Sequence, residues 1–354
     1  MNIGPVWILL DTSGMGGIET HVTTLVSSLR NRSIDAVIVL LTDHGPHPLE
    51  QTWHQMGLPV HKNRRGFRGL VSKLMKERPS LVHTHGYKAG ILGRLVCVPL
   101  HIPVVSTYHA GEPGEGRVKI YNWFDRFTSG LATPIAVSQL ISERIKADTT
   151  VIPNFVNVPS WKRSTGKTAA FVGRLSYEKG PDRFLELAKS LPDRQFEMFG
   201  DGPMFQKLSK KSNGSVVFRG PVSSMQPYWS HIGLLCITSR YEGLPLVALE
   251  AMSHGVPVVA FSVGALPDVI ADSQNGYLIA EGDTKAMKRC IQAFYQLEAD
   301  ERAEMSMSAR DSILEHFSSD VIIPQVLSVY ENALMRIKSA HKSVSDQRPS
   351  GVVT

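Results

Sequence analysis

Apolar runs of strand length alternate with segments of helical period along the whole chain. In the first half, strands are predicted at residues 3–10, 36–41, 81–84, 104–108, 134–137 and 151–153. Helical segments fall between them. In residues 19–30, Val22, Leu25, Val26 and Leu29 make one apolar stripe. Continuous apolar strands separated by helices predict a parallel sheet covered on both faces. The pattern pauses in a polar stretch with Pro and Gly, then resumes. A second series of strands is predicted at 169–172, 195–199, 216–219, 234–238, 258–261 and 277–279, followed by helices at 284–296, 300–316 and 320–337. The expectation is an α/β chain of two Rossmann-like domains, 1–157 and 169–318, joined by a linker at 158–168. Residues 341–354 read as a disordered tail. Ligands bind at the carboxyl ends of strands in such sheets, so the site is expected in a cleft between the domains.

At 354 residues the chain is long enough for two such domains. No run of 18 apolar residues appears, and the first residues lack a basic segment and a small-residue cleavage site. Cys97, Cys236 and Cys290 are scattered, with no metal spacing, which fits a reducing compartment. A cytoplasmic protein is expected. Charge is uneven: residues 1–160 hold 16 Lys/Arg against 11 Asp/Glu, and residues 161–354 hold 22 against 21. A dense part of the excess is Lys62, Arg64, Arg65 and Arg68, followed by Lys73, Lys76 and Arg78. Such a patch suits nucleic acid or anionic lipid, or is simply a solvated surface. No nucleic-acid motif accompanies it, so an anionic membrane surface is the expected partner and nucleic acid is not.

The candidate chemistry sits after the strands. Gly14, Gly16 and Gly17 lie between the first strand and its helix, where backbone N–H groups can approach phosphate. The G-x-G-x-x-G spacing is missing. Gly166-Lys167-Thr168 ends like a phosphate-binding loop, but position 161 is Trp and a strand follows, so that reading fails. His83 and His85 share a strand face and raise a metal pair, but Tyr87 stands where a third ligand would help. No D-x-D occurs, and no metal or cofactor is expected. His109 follows the 104–108 strand and precedes a Gly-rich loop at 111–116; position alone leaves a functional and a structural role open. Arg174 and Lys179 lie on a strand–loop–helix junction that suits a diphosphate. Gly202 begins a second close-approach turn. Glu242 precedes a helix, and Glu250 is read as lying about two turns inside it, with free N–H groups near Gly243 and Leu244. An acid among Leu246, Val247, Ala248, Leu249, Ala251 and Met252 needs a partner, which a hydroxyl-rich ligand would supply.

These features together resemble family 4 of the glycosyltransferases over roughly residues 2–337. The resemblance rests on Gly16-Gly17-Ile18-Glu19, His83-Thr84-His85-Gly86, Ile152-Pro153-Asn154, Val172-Gly173-Arg174-Leu175 with Lys179-Gly180, and Gly200-Asp201-Gly202-Pro203. Most specific is the E-x7-E pair Glu242 and Glu250, followed by Gly255-Val256-Pro257. It implies the GT-B fold, an acceptor-binding first domain, a nucleotide-sugar-binding second domain and a helix at 319–340 crossing back to the first. It implies retaining, metal-independent transfer from a UDP- or GDP-sugar donor to a saccharide hydroxyl in surface polysaccharide synthesis. The basic patch at 61–78 adds the expectation of a lipid-linked saccharide acceptor and a protein peripheral on the inner membrane face, with a soluble acceptor as the rival. Arg174 and Lys179 would hold the diphosphate, Glu242 the sugar, Glu250 the ribose, and His109 would be the active-site histidine. Gly16, Gly17, Gly243 and Leu244 would contact phosphate or sugar. Phe155-Val156-Asn157 departs from the family's Gly-Val-Asp at the hinge. A sugar epimerase, a phosphorylase and a non-catalytic binding protein are the rival readings.

Overall fold

The computed structural model describes residues 3–109, 116–160 and 164–346. The first domain runs β1 (Val6–Leu10), α1 (Gly17–Arg30), β2 (Ala36–Leu40), α2 (Glu50–Gln55), β3 (Val60–Lys62), α3 (Gly66–Glu77), β4 (Leu81–His85), α4 (Tyr87–Cys97), β5 (Val104–Tyr108), α5 (Arg117–Phe127), β6 (Thr133–Ala136), α6 (Gln139–Ser142) and β7 (Thr150–Val151). The second runs β8 (Thr168–Val172), α7 (Pro181–Lys189), β9 (Gln195–Phe199), α8 (Phe205–Ser212), β10 (Val217–Gly220), β11 (Ile232–Ile237), α9 (Leu246–Ser253), β12 (Val258–Phe261), β13 (Gly276–Ile279), α10 (Thr284–Gln296) and α11 (Ala299–His316). Helix α12 (Ser319–Asp346) closes the series.

Both sheets are parallel, and their central strands are buried on both faces, which is why they read as unbroken apolar runs. The first sheet has the order β3-β2-β1-β4-β5-β6-β7 and the second β10-β9-β8-β11-β12-β13. The winding direction reverses between β1 and β4, and again between β8 and β11. Loops leaving those strand pairs diverge and open a crevice at each switch point. Gly16, Lys179 and Glu242 follow β1, β8 and β11, and His85 ends β4.

Helices α1, α2 and α12 cover one face of the first sheet. Helices α3 and α4 pack on the other, through Leu70, Leu74, Ala89, Val96 and Cys97. The α12 contribution is Ile322, Ile323, Val326, Val329, Tyr330 and Ala333, so the end of the chain is part of the first domain's core. Val156 and Ser318 bridge where the chain leaves the first domain and where it returns.

Three expectations need correction. The short strand β3 was not foreseen, because its three residues lie within the basic stretch. Helix α12 continues to Asp346, six residues into the expected disordered tail. Within the basic patch, Lys62 pairs with Glu50 at 2.6 Å and is only 19% exposed, while Arg64 pairs with Asp43 at 3.2 Å yet stays 80% exposed. Arg65 and Arg68 remain on the surface. No described helix is long and apolar enough to cross a membrane.

Candidate active site

The second domain's half of the site is built by two loops that hold each other. After β8, Arg174 is exposed, and Tyr177–Lys179 form a short 3-10 turn ending at Gly180. Gly180 has φ +64, and a Cβ there would lie 2.1 Å from the Thr238 carbonyl oxygen. Only glycine allows that approach. The Thr238 hydroxyl donates to the Gly180 carbonyl at 2.8 Å. Arg240 then clamps the loops, pairing with both oxygens of Asp182 and stacking 4.0 Å over the Tyr177 ring.

This clamp brings Lys179 onto Glu242. Lys179 Nζ donates to both carboxylate oxygens, at 2.7 and 2.9 Å. The Ser239 hydroxyl donates a third hydrogen bond to Glu242 at 2.6 Å. Sequence reasoning gave Lys179 and Glu242 separate ligand contacts and did not foresee their pairing. Gly264 and Ala265 support the same loop: a Cβ at Gly264 would meet the Gly243 and Glu242 carbonyls at 2.4 and 2.5 Å, and Ala265 N donates to the Gly243 carbonyl at 2.8 Å. Gly202 is required for packing, since a Cβ there would lie 2.6 Å from the Leu175 carbonyl oxygen.

Helix α9 begins at Leu246, so Glu250 is little more than one turn inside it, not two. Burial raises its carboxyl from an ordinary 4.5 to about 7. Among the described residues its carboxylate has no hydrogen-bonding or ionic partner.

The first domain contributes three imidazoles from three elements: His21 on α1, His85 at the end of β4 and His109 just past β5. Burial holds His109 down at about 4 and His21 and His85 well below the usual range, so all three are neutral. His85 Nδ1 is 2.9 Å from His109 Nε2, a hydrogen bond between neutral rings. His21 packs edge-on to His109, with centroids 4.7 Å apart. One nitrogen from each ring lies within 4.8 Å of the others, close enough to hold a metal ion. The sequence did not reveal this trio because the residues are far apart along the chain. His83 is structural: its nitrogens bond the Tyr330 and Thr107 hydroxyls, each at 2.7 Å. The Gly-rich loop expected beside His109 lies mostly in residues 110–115, outside the described residues.

The halves meet at His109 and Gly243. A Cβ on Gly243 would come 2.6 Å from the His109 carbonyl oxygen. Asn154 of the first domain donates to the Leu244 carbonyl at 2.7 Å. Beside them, a cavity of about 270 Å³ is lined by Asp11, Glu19, His85, Lys88, His109 and the inner side of α5. Hydrogen bonds from Lys88, Thr42 and His44 outweigh burial and hold Asp11 below the ordinary carboxylate range. Gly16 and Gly17 are exposed at the start of α1. No protein atom lies within 4 Å of a Cβ built on Gly17, so packing does not demand glycine there.

The family model for Glycosyltransferase Family 4 matches residues 15–159, and that for Glycosyl transferases group 1 matches residues 166–296. The chain is a glycosyltransferase of the GT-B, family 4 type. Its relatives include the UDP-Gal:alpha-D-GlcNAc-diphosphoundecaprenol alpha-1,3-galactosyltransferase of Escherichia coli, 24% identical over 76% of this chain and 79% of that one. Alpha-maltose-1-phosphate synthase of Mycolicibacterium smegmatis is 26% identical over 89% of this chain and 95% of that one. Among solved structures, HepE of Anabaena in complex with UDP superposes with a TM-score of 0.79 at 19% identity, covering 92% of this chain and 99% of that one. This glycosyltransferase therefore has the two-domain architecture its sequence predicts.

Proposed function

We propose that this glycosyltransferase moves a sugar, with retention and without a metal, from a UDP- or GDP-sugar to a hydroxyl of a lipid-linked saccharide in surface polysaccharide or lipopolysaccharide synthesis. The observation that carries the donor reading is Glu250. Its half-buried carboxyl is partly desolvated without a hydrogen-bonding or ionic partner among the described residues, and vicinal ribose hydroxyls are donors of the right kind. The diphosphate would sit at the start of α9, where backbone N–H groups are free and the helix dipole is positive. Arg174 lies on the facing loop. Lys179 would share its ammonium between Glu242 and the diphosphate, and Glu242 would accept from a sugar hydroxyl with the oxygen that Ser239 does not occupy.

Leaving-group charge would then be stabilised by Lys179, Arg174 and the helix start. The departing phosphate would take the acceptor proton on the face it leaves. Neutral His109 suits a hydrogen bond to the donor sugar rather than proton abstraction. Closure over Gly243 and His109 would exclude water. The relatives from Escherichia coli and Mycolicibacterium smegmatis are named for transfer to a diphospholipid-linked sugar and for synthesis of a sugar phosphate. The first name supports a lipid-linked acceptor and thus a site of action on the cytoplasmic membrane face.

The test is an Arg174→Ala, Lys179→Ala variant assayed for acceptor-dependent release of nucleoside diphosphate. A loss of about 10²-fold or more in kcat is expected; a wild-type rate would refute the leaving-group assignment.

A further inference from the structure

Helix α5 carries Ile120, Trp123, Phe124 and Phe127 at positions i, i+3, i+4 and i+7. That spacing ordinarily turns a helix face into a core. Here all four side chains are exposed, from 46% at Phe124 to 64% at Phe127. Trp123 stacks on Phe127 with ring centroids 5.4 Å apart, and Phe124 meets Trp123 edge-on.

The stripe cannot roll inward, because the opposite side of α5 is fixed. Arg94, fully buried on α4, pairs with Asp125 and also donates to Ser106 at 2.9 Å and Tyr108 at 3.2 Å. Asn122, Asp125 and Arg126 line the cavity beside His109. One helix therefore offers a polar wall to the candidate acceptor cavity and an aromatic wall to the outside.

The surroundings are basic. Helix α4 lies between α3 and α5, touching both. On α3, Phe67 and Met75 are exposed beside Arg68 and Lys76. Of the cations in residues 62–131, Arg94 is buried and Lys62 and Lys88 are ion-paired, while Arg64, Arg65, Arg68, Lys76 and Lys119 are exposed. Aromatic side chains interleaved with cations match a membrane interface, where rings sit at headgroup depth and long cations reach anionic lipid. The core of a protein–protein contact is instead depleted in lysine.

We infer that the outer face of α5 is an interfacial anchor that inserts Ile120, Trp123, Phe124 and Phe127 into the headgroup region of an anionic bilayer. The inference rests on the membrane partner proposed above. It moves the contact from the loop of Lys62, which is paired and largely covered, to an apolar stripe assisted by Arg64, Arg68, Lys76 and Lys119. Anchored there, the enzyme presents the cavity beside His109 to an acceptor whose lipid stays in the bilayer.

The test is flotation of the full chain with phosphatidylcholine vesicles, with and without phosphatidylglycerol, in the absence of donor and acceptor. Wild type is expected to float with the anionic vesicles and to shift its tryptophan emission to the blue. A Trp123→Ser, Phe127→Ser variant is expected to bind about tenfold more weakly or worse, while retaining its melting temperature and nucleotide-sugar binding. Equal flotation of the variant, or no flotation of wild type, overturns the anchor. A wild-type dimer that the variant breaks overturns it in favour of a second copy of the chain. Donor binding on the same preparations separates the readings: wild type that binds donor but ignores vesicles leaves the transferase reading standing, and failure to bind any nucleotide-sugar counts against that reading alone.

Discussion

Glu250 makes the sharpest statement at the scale of a single side chain. Its folded pKa is raised from 4.5 to about 7, so the folded protein holds the proton more tightly than the unfolded chain. That contribution is fully present below the ordinary carboxyl value and is lost as pH rises towards about 7. Without ligand, wild type should therefore lose melting temperature between about pH 5 and pH 8 relative to Glu250→Gln; parallel curves would contradict this. Donor binding should show the opposite sign, because ribose hydroxyls favour the carboxylate. Titration calorimetry with a nucleotide-sugar should give affinity that rises with pH and levels off above about 7, with the rise absent in Glu250→Gln. His109 stays neutral down to about 4, so its titration should not shape the activity profile near neutral pH.

Loops and helices are held by contacts that leave little room for change. Gly180→Ala places a Cβ against the Thr238 carbonyl in a left-handed backbone conformation. It should cost about 1–3 kcal/mol in urea unfolding and raise the donor KM, because the same loop aims Lys179. Arg94→Leu leaves Asp125 buried without its cation and should cost about 3–5 kcal/mol; an unchanged unfolding midpoint would show that α5 is not held by this pair. Much of the element order was legible in the sequence, because strands buried on both faces spell out unbroken apolar runs. Strands 195–199 and 258–261 and helix 284–296 match their predicted bounds. Strand β3 was not legible, being three residues with a His and a Lys. At the site, Lys179, Glu242, Gly243 and His109 were singled out from their places after strands. Their mutual contacts were not, because the Lys179–Glu242 pair, the His21–His85–His109 group and the Arg94–Asp125 tie each join segments distant in sequence. The α5 stripe was missed for a different reason: periodicity finds an apolar face but does not say whether anything covers it.

Across the whole molecule, two switch points face each other over one cleft, and the chain crosses between domains near Val156 and Ser318. In the proposed mechanism, Arg174, Lys179 and the helix N–H groups take the place of a metal on the diphosphate. Transfer activity should therefore survive excess EDTA; loss of activity with restoration by one divalent ion would point instead to the His21, His85 and His109 group. The central claim is retention at the anomeric carbon. Its most direct measurement is the NMR coupling of the anomeric proton in the first product formed from an α-linked nucleotide-sugar and a polyprenyl-diphosphate saccharide. The small coupling of an α-glucosyl or α-galactosyl product is the predicted result, and the large coupling of a β-linked product would contradict it.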